Sequence, residues 1–231
     1  MSAPPVFFGF RIHSGWHSLR TYLLSGGVLG YPAEYAYALG EVPTRRPSNS
    51  ATRLYQLKER SPAKPILYLV GNLEVLRKFA LIPPDPARRA FLFGPPRFAT
   101  YLLNATALSV SLGMARNGKV ALRIPAEVHL RRFLIFLGEP LSGTSLNLSG
   151  SPPLRTCDEI KDVFPDLAIV DGGFRPGTPV SPILDLTTFD RRMLRGSWTM
   201  ATRCRQVPDS PSSGLCWLPL NREKITNTAP R

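Results

Sequence analysis

Short apolar runs alternating with stretches of helical period limit the fold of this chain more than any other feature. "VLGYP" (28–32), "ILYLV" (66–70), "ATYLLNA" (99–105), "KVALRIP" (119–125), "LAIVDGG" (167–173) and "SPILDLT" (181–187) are each too short for a buried helix and read as strands. A further strand ends in "GTSLN" (143–147). "HSLRTYLLSGG" reads as a helix packed by Leu19, Tyr22 and Leu23 and stopped at Gly26 and Gly27. "SATRLYQLKER" reads as a second, with Ser50 as cap and Leu54 and Leu57 on one face. "NLEVLRKFA", "AEVHLRRFLIFLG" and "RTCDEIKDVF" carry the same spacing, and a Pro-rich connection follows the first of these. That order predicts an α/β fold, a sheet flanked by helices. At 231 residues and 43% hydrophobic, the chain can bury one sizeable core, so a single domain is expected.

The periodic pattern runs from 17 to 196. Residues 1–16 are expected to be an N-terminal extension, and 197–231, with the loop composition of "PDSPSSG", a low-order tail. No run approaches the roughly 18 apolar residues that a membrane-spanning helix needs. Arg11 and Arg20, with no acidic residue before Glu34, faintly resemble a transit segment, but the helix at 17–27 accounts better for that stretch. Cys157, Cys204 and Cys216 have no C-x-x-C spacing and are odd in number, which argues for a reducing compartment, and a cytoplasmic location is expected. His13, His17 and His129 form no zinc signature, so no metal ligands are assigned.

Charge narrows the partners. Lys and Arg number 29 against 16 Asp and Glu, a net +13, which favours polyanions such as RNA, nucleotides or anionic surfaces, the alternative being a solvated basic surface. In "YQLKERSPAKPILYLV", Lys58, Arg60 and Lys64 stand where Ser61-Pro62 ends a helix. Once the chain is extended, Lys58 and Arg60 point the same way and suit a triphosphate; equally, cations there complement a helix dipole. In "LSGTSLNLSGSPP" (141–153), Ser145 and Asn147 fall on one side of the chain and offer a hydroxyl and an amide to a polar ligand. The alternative is a Ser/Asn-rich turn that bonds its own backbone.

Taken in order, "GGVLGYPAEYAYALG", "LKERSPAKPILYLV", "VALRIP", "GTSLNLSGSPP…RTCDEI" and "SPILDL…MLRG" resemble the YrdC/TsaC family of threonylcarbamoyl-AMP synthases, over about residues 17–196. The resemblance implies a single YrdC-like domain, a twisted mixed sheet flanked by helices with a concave, basic pocket. It implies a nucleotidyltransferase that makes threonylcarbamoyl-AMP from L-threonine, bicarbonate and ATP, with Mg²⁺, for threonylcarbamoyladenosine modification of tRNA. It places ATP at Lys58, Arg60, Lys64, Asn147 and Arg195, and at Lys119, where relatives often carry threonine. Threonine falls to Glu34, Tyr35, Arg123, Ser145 and Ser181. Distinct catalytic residues are not implied, since positioning and charge neutralisation carry such chemistry. Partners implied are tRNA and downstream threonylcarbamoyl transferase proteins, with no membrane.

The chain departs from the family pattern at its opening motif, usually P-T-[DE]-x-x-[YF]-G and here "PAEYAYALG". Ala33 lacks a hydroxyl, Tyr35 is bulky where Thr or Ala is usual, and Ala38 replaces glycine; Glu34 is kept. "FGPPRFAT" retains Thr100, and Glu127 stands where relatives often have histidine. Retained Lys58, Arg60, Ser145 and Asn147 favour an active synthase. Ala33 and Ala38 favour a non-catalytic or substrate-shifted paralogue that binds RNA or nucleotide.

Overall fold

The computed structural model describes residues 4–10, 13–43, 50–59, 66–93, 99–148, 150–177, 181–188 and 193–195. Strands and helices alternate along it: β1 (Val6–Phe8), α1 (Trp16–Leu24), β2 (Leu29–Pro32), β3 (Tyr37–Gly40), α2 (Ser50–Leu57), β4 (Leu67–Leu69), α3 (Leu73–Phe79), α4 (Pro86–Phe93) and β5 (Thr100–Asn104). After these come α5 (Ala107–Ser111), β6 (Lys119–Arg123), α6 (Val128–Leu137), β7 (Leu141–Ser145), α7 (Cys157–Val163), β8 (Ala168–Asp171), β9 (Ile183–Asp185) and β10 (Met193–Arg195). Among the described residues the strands form one ten-stranded sheet in the order β1-β8-β2-β3-β7-β4-β6-β5-β9-β10. It is mixed: β1/β8, β2/β8, β4/β6 and β5/β9 are parallel, whereas β2/β3, β3/β7, β4/β7, β5/β6 and β9/β10 are antiparallel. The expected α/β class with a mixed sheet is what the chain forms.

Local chemistry sets the helix ends. Asn72 caps α3 by accepting from the Val75 N–H at 2.9 Å, Thr106 caps α5 and Thr156 caps α7. Gly138, at φ 74°, closes α6 in the left-handed conformation that a side chain would disfavour. The stretch read as a Pro-rich connection contains α4. Asp85 accepts from the Arg88 N–H at 2.9 Å and Pro86 takes the first helical position, where its missing N–H costs nothing. Residues 6–8, within the stretch expected to precede the domain, pair with β8 as a sheet edge. The expected tail from 197 lies outside the described residues.

Strand alternation divides the sheet into two faces. On one face, Tyr37 and Leu39 of β3 and Ile169 of β8 pack against Leu54 of α2 and Ile160 of α7. Further along that face, Val120 and Leu122 of β6 and Leu103 of β5 pack against Val75, Leu76 and Phe79 of α3. On the opposite face, Leu29, Tyr31, Ala38, Leu69, Leu141 and Val170 meet Leu19 and Leu23 of α1 and Leu130, Phe133 and Leu134 of α6. This second cover stops short. Leu102, Ala121 and Ile183, half-buried on that opposite face, belong to none of the three hydrophobic clusters among the described residues. Among the described residues the sheet is thus helix-covered on both sides over β8-β2-β3-β7 and on one side over β6-β5-β9.

Candidate functional site

The less covered face carries the polar side chains. Residues two apart on a strand share a face, so Lys119, Ala121 and Arg123 project oppositely to the buried Val120 and Leu122. Register extends the row: Ala121 lies opposite Leu102, and Leu102 beside Asp185. On the other side, Arg123 lies beside Leu69, Leu69 beside Leu141, and Ser145 follows four residues along β7 on the same face. Ser145 in turn lies opposite Ala38, and Ala38 opposite Tyr31.

The two sequence motifs meet at Lys58. α2 ends at Leu57, and the Lys58 side chain, buried, carries its ammonium to the turn after β7. There it donates to the Ser145 carbonyl, to the Asn147 carbonyl at 3.1 Å and to the Asn147 side-chain oxygen at 2.8 Å. The same Asn147 Oδ1 accepts from the Ser145 hydroxyl at 2.7 Å, so these two side chains do share one side of the chain. The turn also bonds itself, with Asn147 Nδ2 donating to the Ser151 carbonyl at 2.5 Å. The expected shared side and the expected self-bonded turn are both present. Arg60 and Lys64, expected beside Lys58, lie outside the described residues.

A buried ion pair holds the β2–β3 hairpin. Glu34, at its tip, meets the Arg123 guanidinium at 2.5 Å, with both side chains about nine-tenths buried. Glu34 Oε1 also accepts from the Ala126 N–H at 2.8 Å. Burial alone would raise the Glu34 carboxyl, but the Arg123 charge and the backbone N–H bonds outweigh it and hold it below its ordinary range. The hairpin is tied from a second side, for Gly177 N–H donates to the Tyr35 carbonyl at 2.6 Å and Arg175 to the Ala33 carbonyl at 3.4 Å. Close by, Tyr31 donates to the Ser142 carbonyl at 2.9 Å, and burial pushes its phenol far up. A Cβ on Gly40 would stand 2.0 Å from that carbonyl oxygen, so glycine is what lets the strands approach here.

A third group gathers on β6, β9 and β10. Lys119 pairs with Asp185 at 3.3 Å. Burial would raise the Asp185 carboxyl, but the Thr187 hydroxyl and N–H, with the Lys119 charge, hold it low. Arg195 donates to the Ser181 carbonyl from Nε at 3.0 Å and from Nη2 at 2.9 Å, and Nη2 reaches the Ser181 hydroxyl at 3.2 Å. Ser181 and Arg195, assigned to opposite ends of the ligand in the sequence, are thus neighbours. Asp185 and Thr187 were not singled out in the sequence; an acid two residues into the strand that follows Ser181-Pro182 was the available signal. Glu127 proves to be the N-cap of α6, its carboxylate accepting from the Leu130 N–H at 2.5 Å.

The family model Sua5/YciO/YrdC, described as telomere recombination, matches residues 21–197. The chain belongs to the Sua5/YciO/YrdC family. A curated relative from Neisseria gonorrhoeae named threonylcarbamoyl-AMP synthase is 32% identical over 180 residues, 77% of this chain and 94% of its own length. One of the same name from Dichelobacter nodosus is 29% identical over 172 residues, 73% of this chain and 88% of its own. Solved structures carry the same fold. P. abyssi Sua5, complexed with L-threonine, superposes with a TM-score of 0.70 at 24% identity over 84% of this chain, which spans 57% of that longer protein. E. coli YciO gives 0.66 at 22% identity, over 84% of this chain and 95% of its own. The family match begins at α1 and ends just after β10, so it encloses every side chain of the three groups.

Proposed function

We propose that this chain is an L-threonylcarbamoyladenylate synthase: a nucleotidyltransferase that converts L-threonine, bicarbonate and MgATP into threonylcarbamoyl-AMP, water and pyrophosphate. The observation that carries the reading is the meeting of Lys58 with Ser145 and Asn147, two motifs that lie 87 and 89 residues apart in sequence. Support comes also from the relatives named for this reaction, which share 29% to 32% identity over most of their length.

In this reading the threonine amine attacks the bicarbonate carbon and expels water, leaving a carbamate. A carbamate oxygen then attacks the α-phosphorus in line, and the bond to the β-phosphate oxygen breaks to release pyrophosphate. The protein's task is placement and neutralisation of charge. Arg60 and Lys64 serve the phosphates, with Lys119, Asn147 and Arg195 toward the nucleotide; Lys58, which the resemblance also assigns to ATP, here bonds the Ser145–Asn147 turn and serves the site from behind it. Glu34, Tyr35, Arg123, Ser145 and Ser181 serve the amino acid. Mg²⁺ arrives on the phosphates as part of the substrate and neutralises their oxygens, chemistry that asks for few protein ligands. The adenylate is consumed in the cytoplasm by transferase proteins that modify tRNA.

A second reading, a substrate-shifted or non-catalytic relative that binds nucleotide or RNA, is favoured by one observation. Ala38, where the family pattern has glycine, stands directly across from Ser145, so its methyl abuts the site. Mass-spectrometric detection of threonylcarbamoyl-AMP tests the first reading. The wild-type protein is expected to form it and R60A to lose at least about 100-fold in rate, the scale of one deleted charge-stabilising donor. Full activity in R60A would overturn the assignment of the phosphate side.

A further inference from the structure

Hydrogen-bond polarity at Ser145 follows from the buried lysine behind it. An ammonium group only donates, so the Asn147 side-chain atom that faces Lys58 Nζ at 2.8 Å is its oxygen. The amide is oriented the same way from its other end, where Nδ2 donates to the Ser151 carbonyl. Asn147 Oδ1 cannot donate, so the Ser145 hydroxyl gives its single proton to that oxygen, at 2.7 Å. What Ser145, itself exposed, has left for a ligand is lone-pair density.

We infer that Lys58, through Asn147, is a positioning residue that commits the Ser145 hydroxyl to act as a hydrogen-bond acceptor for an N–H group of the amino-acid substrate. This rests on the synthase reading and sharpens it. A serine fixed as an acceptor turns toward the amine of threonine, or the N–H of its carbamate, and away from carboxylate and phosphate oxygens, which would meet it lone pair to lone pair. Lys58 then differs from Arg60 and Lys64 in kind. Three of its bonds run to the Ser145–Asn147 turn, two to backbone carbonyls that fix the chain and one to the side-chain oxygen that fixes the amide. The residue acts on the amino acid by way of Ser145, and its loss falls on threonine affinity rather than on ATP affinity.

Calorimetric titration of the full chain with L-threonine and, separately, with ATP tests this in wild type, K58M, S145A and the double variant. K58M is expected to weaken threonine binding at least 10-fold while changing ATP affinity less than 3-fold, and to add nothing on the S145A background. If K58M fails to fold, N147A removes the same acceptor for the serine proton from a half-buried turn and is read on threonine alone, where it is expected to weaken binding at least 10-fold and to add nothing on the S145A background. Multiplying effects of K58M and S145A on threonine, or a K58M loss confined to ATP, would overturn the inference while leaving the synthase reading intact. A wild-type protein that binds ATP but no threonine would overturn the reading itself, and the inference with it.

Discussion

Two parts of one sheet solve different problems. Across β8-β2-β3-β7 helices lie on both faces, and apolar residues there are fully enclosed, with Tyr31, Leu39, Leu141 and Val170 at 0% exposure. Across β6-β5-β9 one face packs against α3, whereas the other holds Lys119, Arg123 and Asp185 among half-buried Leu102, Ala121 and Ile183. The first part supplies rigidity and, at the end of β7, carries Ser145 and the turn that Lys58 reaches; the second holds Lys119, Arg123 and Asp185, and the two are joined where Glu34 of the hairpin pairs with Arg123 of β6. Hydrophobic burial on one face of a strand is enough to hold it in register, which frees the opposite face for charge.

Substitutions on the two sides are expected to differ accordingly. Phe133→Ala, in the doubly covered part, removes a ring at 0% exposure and is expected to cost about 3–5 kcal/mol in urea unfolding. A cost near that of an exposed residue would mean α6 does not seal this face. Next comes the junction. Glu34→Gln leaves the Arg123 guanidinium buried beside a neutral amide and is expected to cost about 3 kcal/mol.

The Glu34 contribution has a definite pH dependence. Its carboxyl is held below its ordinary value in the folded chain, so the folded state binds the proton less well than the unfolded state does. The stabilisation is complete above the unfolded value of about 4.3 and is lost as pH falls through the lower, folded one. Wild type and Glu34→Gln should therefore converge in stability on acidification below about pH 4. A gap that stays constant with pH would show that the ion pair is not what Glu34 contributes.

Smaller effects are expected on the less covered side. Leu102→Ala, half-buried, should cost only about 1 kcal/mol, since it forfeits partial transfer and leaves no sealed cavity. Lys119→Ala should cost less than about 1 kcal/mol in stability, its ion pair being 36% exposed on the lysine side. A larger loss at either position in thermal unfolding would show that this face is packed as tightly as the other.

Much of this was legible in the sequence because strand and helix periods are local. The runs at β2, β4, β5, β6, β8 and β9 were long enough to register, and so were α1, α2, α3, α6 and α7. β1 has three residues and is held by β8 across the chain, which no local pattern reports. β3 was absorbed into the motif "PAEYAYALG", and α4 was hidden among prolines although Asp85-Pro86 is a helix-start signal. At the site, the shared side of Ser145 and Asn147 follows from a spacing of two and was readable. That Lys58 reaches that turn, that Glu34 pairs with Arg123, and that Lys119 has Asp185 as its partner depend on sheet order, which sequence spacing does not encode.

Pyrophosphate release by the purified chain, with ATP, Mg²⁺ and bicarbonate and with or without L-threonine or each of a panel of other amino acids, tests the central claim most directly. Threonine-dependent release is the predicted result. Release with a different amino acid alone would keep the chemistry and move the substrate, placing the weight on Ala33, Tyr35 and Ala38. No release with any amino acid, from folded protein that binds ATP, would contradict the synthase reading and leave the nucleotide-binding paralogue in its place.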